Sequence, residues 1–135
     1  MDLDFFKQTR ILDGGMGQEL LARGMRSNGT LWSANAILDE NYHQLLQDTH
    51  RDFVKAGAEV IVTATFTTRR KRLKENNIED KFQYLNIKAA EIAQEVKKEF
   101  PNISKWQFFA IFGLGISIAI PMILAINYEL EDSVR

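Results

Sequence analysis

Few residues in this chain are of a type and spacing that could do chemistry. Asp13 follows the apolar pair Ile11-Leu12 and precedes Gly14-Gly15, so a carboxylate stands where a short buried strand gives way to a loop whose glycines admit conformations that a strand or helix would not. A functional group can sit in such a loop. By spacing alone, the same carboxylate reads as a turn residue capping the helix that follows. His43 and His50 are seven residues apart, about two helical turns, which is too far for one ion to bridge easily, and they read as surface or satisfied histidines. Arg69, Arg70, Lys71, Arg72 and Lys74 form a basic run without interleaved aromatics, which reads as a solvated face. The 17 basic residues are balanced by 18 acidic ones for a net charge of -1, so no nucleic-acid partner is expected. The chain has no cysteine, which excludes disulfides, thiolate nucleophiles and thiolate metal sites.

The elements that must position these groups follow from the apolar pattern. With 135 residues, 45% of them apolar, eight glycines and two prolines, the composition is that of one globular domain. The acidic start Met1-Asp2-Leu3-Asp4 has the wrong polarity for a secretory or transit signal, so the N-terminal part is expected in the cytoplasm. Gly17 to Arg23 is helix-forming and is stopped by Gly24. From Asp39, a plausible N-cap, Tyr42, Leu45, Leu46, Phe53 and Val54 share one helical face up to Gly57. Val60 to Phe66 is β-branched and uncharged, as a parallel strand buried on both faces should be. A second long helix carries Phe82, Leu85, Ala89, Ile92, Ala93, Val96 and Phe100 on one side, with Pro101 beyond its end. Strand, helix, strand, helix in this order indicates a βα-repeat with a parallel sheet. A closed (β/α)8 barrel takes about 250 residues, so the fold class is α/β, a partial barrel represented by its first two βα units.

Three motifs then carry a resemblance: Ile11-Leu-Asp-Gly-Gly-Met-Gly-Gln-Glu-Leu20, Leu31-Trp-Ser-Ala34, and Phe53-Val-Lys-Ala-Gly-Ala-Glu-Val-Ile-Val-Thr-Ala-Thr-Phe66. In this order and spacing they resemble the N-terminal part of the homocysteine S-methyltransferase family, from about Ile11 to Ile103. The resemblance implies a barrel with its site at the carboxyl ends of the strands and methyl transfer to the thiol of homocysteine, giving methionine. It implies that Asp13 faces the substrate ammonium, a natural partner for a carboxylate at a strand end. Thr63 and Thr65 would offer hydroxyls to the amino-acid end, Gly14 would let the backbone approach it, and Trp32 and Phe66 would form nearby walls. It also implies a zinc ion held by three cysteines of the later barrel. This chain has none, so no zinc is expected here and no catalytic residue is assigned.

From Trp106 to Tyr128 run 23 residues without a formal charge, closed by Glu129, Glu131 and Asp132. The chain is therefore divided into 1-103, the N-terminal part of a homocysteine-binding barrel domain, and 104-135, a hydrophobic tail. As a helix, 106-128 would be about 34 Å long and would span a membrane, with Trp106 and Tyr128 at the interfaces. Alternation of Ile116, Ile118 and Ile120 with Ser117 and Ala119 also fits a barrel strand, and a shifted or truncated reading frame is the third reading. The expected function is a truncated homocysteine S-methyltransferase-like protein without turnover, its partners homocysteine and, through 106-128, the membrane. The alternative is a small single-pass membrane protein with a non-catalytic cytoplasmic interaction unit.

Overall fold

The computed structural model describes residues 7–100 and the backbone of Phe108–Phe109. Three stretches of chain run parallel, side by side. Leu12 bridges Val60, and β1 (Ile61–Val62) pairs with β2 (Phe108–Phe109) in the register Ile61 to Phe108 and Val62 to Phe109. The middle segment thus has one neighbour on each side, in chain order, as consecutive strands of a βα-barrel have.

The pairing at Phe108–Phe109 corrects the reading of the tail. A continuous helix was expected over most of 106-128, and at these two residues a strand forms instead. An inner strand of a parallel sheet is apolar and uncharged on both faces, so composition alone does not separate it from a membrane helix. The remainder of 106-128 lies outside the described residues. Among the described residues, no helix is long and apolar enough to cross a membrane.

Helix α1 (Met16–Ala22) buries Met16 and Leu20. It ends where Gly24 takes φ +100, with the Met25 N–H on Leu20 O at 2.9 Å and the Gly24 N–H on Leu21 O at 3.1 Å, a left-handed stop that a residue without Cβ adopts cheaply. A 3-10 turn, Trp32–Ala34, runs into the short α2 (Asn35–Leu38). Asp39 then caps as expected, accepting the Asn41 N–H, and a turn at Glu40–Tyr42 leads into α3 (His43–Lys55). After β1 come α4 (Arg70–Glu75), a turn at Glu79–Lys81 and α5 (Phe82–Glu99). Every apolar residue predicted for the inner face of α5 from Phe82 to Val96 is buried.

The core is formed by Leu20, Ile37, Leu46, Leu73 and Leu85, with Ala89 and Ile92 from α5. Helices α3 and α5 are also tied across their exposed edges, where Arg51 reaches Glu99 at 2.6 Å and Gln47 meets Glu95. The basic run is only partly a solvated face. Arg69 and Arg70 lie over the Phe66 and Phe82 rings at 5.1 and 4.2 Å, and Arg72 donates to Thr30 O at 2.8 Å.

Candidate functional site

The segment that bridges β1's neighbour Val60 through Leu12 ends at Asp13, and its last bonds are what place the carboxylate. Ile11 O accepts the Glu59 and Val60 N–H groups at 2.8 and 3.1 Å, and the Asp13 N–H donates to Val60 O at 2.9 Å. At Gly14 the chain leaves the sheet. The next donor along the neighbouring segment, the Val62 N–H, is taken by Asp13 Oδ2 at 2.8 Å, so the side chain substitutes for a backbone carbonyl where the ladder stops. Asp13 therefore does not cap α1, whose N-cap Gly15 makes no side-chain hydrogen bond. With 3% of its side chain exposed, Asp13 is pushed up to about 6 by burial, against the pull of the Val62 N–H.

A cavity of about 360 Å³ opens beside this carboxylate, lined by Asp13 to Gln18 where the chain enters α1, by Trp32 and Ser33, and by Val62, Thr63, Ala64 and Phe66. Its size is that of a small-molecule site. Gly14 and Thr63 thus share one cavity with Asp13, and Thr65 is not among its lining residues. Thr65 is buried, its hydroxyl 3.1 Å from that of Thr63. Thr63 to Phe66, expected as strand, lies beyond β1 and forms the rim, with the Thr65 N–H turned back onto Thr63 O at 2.7 Å.

Two glycines fix the walls. A Cβ on Gly14 would sit 2.7 Å from Phe53 Cε1, and one on Gly17 would sit 2.6 Å from Trp32 Nε1. Gly14 is therefore required by the Phe53 ring of α3, a reason independent of any ligand. Trp32 has φ 44, a costly conformation for a bulky residue, and the turn carrying it is pinned by Thr67. The Thr67 hydroxyl donates to Leu31 O at 2.7 Å and accepts the Ala34 N–H at 3.0 Å, with Ser33 Oγ at 3.2 Å. Thr68 does the same for α5, its hydroxyl lying 2.9 Å from Asn86 Oδ1. Sequence reasoning missed Thr67 and Thr68 because buried hydroxyls in a β-branched run look like ordinary strand residues.

It also misjudged His50. His43 is satisfied, its Nε2 2.8 Å from Ile37 O, but His50 is fully buried and, among the described residues, neither of its ring nitrogens is hydrogen-bonded. Its Nδ1 lies 4.0 Å from Asp13 Oδ2, and burial pulls it down to about 4. Its position four after Leu46 and three before Phe53 puts it on the apolar stripe of α3, a signal that comparison with His43 alone obscured.

The residues present do not fit the zinc that the resemblance implies. No thiolate is available in a chain without cysteine, and among the described residues no three side chains of His, Asp or Glu converge to hold a metal.

Parallel pairing of successive segments, helices between them and a cavity where the Leu12 segment and β1 end define a class of fold, the βα arrangement that (β/α)8 barrels share. Comparison with known proteins narrows it further. The family model of homocysteine S-methyltransferase matches residues 10–128, and the chain belongs to that family. The match continues through β2 and past Ile103, where the resemblance had been expected to stop. Homocysteine S-methyltransferase 2 of Zea mays is 33% identical over 91 residues, covering 67% of this chain and 26% of that protein. The selenocysteine methyltransferase of Astragalus bisulcatus is 31% identical over 98 residues, covering 70% and 28%. The metallated crystal structure of the homocysteine methyltransferase MmuM from Escherichia coli superposes with a TM-score of 0.64 at 26% identity, over 79% of this chain and 38% of that one. The chain spans about a quarter of the length of the curated relatives it matches.

Proposed function

We propose that this chain forms the part of a homocysteine S-methyltransferase that receives the amino-acid end of homocysteine, and that on its own it binds without transferring a methyl group. The observation that carries this reading is the placement of a buried carboxylate, Asp13, at the edge of a cavity of about 360 Å³. With Oδ2 held by the Val62 N–H, Oδ1 is left for the substrate ammonium. Thr63 would offer its hydroxyl to the same end of the ligand, and Thr65 would orient that hydroxyl through their mutual contact. Gly14 would hold the loop close against α3, with Trp32 and Phe66 enclosing the ligand. In the complete reaction the homocysteine thiol takes a methyl group and methionine forms. The chemistry that zinc supplies to such a reaction, stabilising the thiolate at neutral pH, has no cysteine donor in this chain.

The test is calorimetric titration of homocysteine into the chain and into Asp13→Asn. Binding that weakens at least about tenfold in the variant, the scale of a lost charge-assisted hydrogen bond, supports the reading; equal binding by both proteins sinks it. The same preparation is expected to hold no stoichiometric zinc and to form no methionine with any of several methyl donors.

A further inference from the structure

His50 is used by nothing described so far, yet its surroundings are specific. It is fully buried on α3, neither ring nitrogen has a hydrogen-bond partner among the described residues, and Nδ1 lies 4.0 Å from Asp13 Oδ2. Asp13 is the one carboxylate that reaches the ring among the described residues. The carboxylates of α1 and α5, the helices packed against α3, are engaged elsewhere, Glu91 of α5 with Lys88. Glu19 of α1 bonds Arg23, which in turn reaches Asp52, and Glu95 and Glu99 of α5 bond Gln47 and Arg51. Leaving buried ring nitrogens unpartnered is costly. A movement of about 1 Å turns the 4.0 Å separation into a hydrogen bond, and Oδ2 has a second lone pair to accept it beside the Val62 N–H.

We propose that His50, as the neutral Nδ1–H tautomer, donates to Asp13 Oδ2 and is the positioning residue that keeps this carboxylate ionised and turned toward the cavity. The hydrogen bond fixes the carboxylate from the side opposite the ligand and opposes the penalty that burial places on its charge. The consequence for ligand binding rests on the reading of Asp13 given above, whereas the hydrogen bond itself does not.

The experiment is therefore done on the 135-residue chain without ligand, so that failure to bind homocysteine and failure of this proposal are separable. Long-range proton–nitrogen spectra of the His50 ring at pH 8 are expected to show the proton on Nδ1. A ring protonated on Nε2 overturns the proposal, with no variant required. The Asp13 carboxyl carbon is then titrated in His50→Asn, which keeps a donor near the Nδ1 position, and in His50→Gln, which moves the donor toward the Nε2 position. The Asn variant is expected to titrate near the unaltered chain. The Gln variant is expected to titrate about one pH unit higher, a tenfold loss in ionisation. Identical midpoints in all three proteins overturn the proposal.

Discussion

Asp13 and His50 respond to pH in opposite senses, and the signs can be worked out one at a time. Burial raises Asp13 from 3.8 to about 6. Between those values the folded chain keeps a proton that the unfolded chain has released, so stability falls as pH rises through that window. His50 is lowered from 6.5 to about 4. There the unfolded chain holds the extra proton, so stability rises with pH. From about pH 4 to 6 the two slopes oppose and largely cancel. Asp13→Asn removes one of them, and urea unfolding should show it losing about 2 kcal/mol relative to the unaltered chain as pH falls from 6.5 to 4. His50→Asn should show the reverse trend. At Thr67, Val keeps the volume and removes the hydroxyl, so Leu31 O and the Ala34 N–H keep only their mutual bond of 2.9 Å and the buried Ser33 hydroxyl loses the partner it has at 3.2 Å. Thr67→Val is expected to cost about 1–3 kcal/mol in the same assay.

Among the elements, two glycine substitutions separate two physical causes. Gly57 has φ +107 with nothing within 4 Å of where a Cβ would sit, whereas Gly14 has an ordinary φ and a ring 2.7 Å away. Gly57→Ala should lose about 1–2 kcal/mol through backbone strain alone. Gly14→Ala should lose stability that is regained when Phe53 is shortened to Leu, because only there is the conflict steric. Thermal unfolding of the two single variants and the Gly14→Ala, Phe53→Leu pair decides between these causes. How legible each element was depends on the same distinction. The faces of α3 and α5 and the stop at Gly24 could be read in advance because spacing and a missing Cβ are local signals. Helices α2 and α4 were not foreseen, being too short for a periodicity to show. The strand expected through Phe66 ends at Val62, because the backbone must leave the sheet to form the cavity rim and β-propensity does not mark where that happens. Asp13 stood out by type and position, but its partner His50 became visible only once α3 was packed against the sheet.

On the scale of the whole molecule, β2 decides what the uncharged tail contributes. Pairing of Phe108–Phe109 with Ile61–Val62 makes this stretch part of the sheet that carries the site, so the two halves into which composition divided the chain are joined by backbone hydrogen bonds. Amide exchange along the β1–β2 ladder is expected to be slowed together with the core of α5; exchange at Phe108 and Phe109 as fast as in an unfolded chain would contradict it. On the opposite side of β1, Ile11 and Leu12 remain 61% and 54% exposed. That flank presents the apolar surface against which a further strand of a closed barrel would pack.

The close approach of Trp32 to Gly17 also has an optical consequence. Of the two tryptophans, Trp32 and Trp106, Trp32 lines the cavity with its indole N–H edge against Gly17 in the first turn of α1. Its emission colour depends on how much water reaches the ring, at present 36% of the residue's surface. A molecule entering the cavity displaces that water. Filling the site should therefore shift the emission to the blue, and replacing Trp32 by Phe should abolish the shift, so the protein carries its own reporter of occupancy.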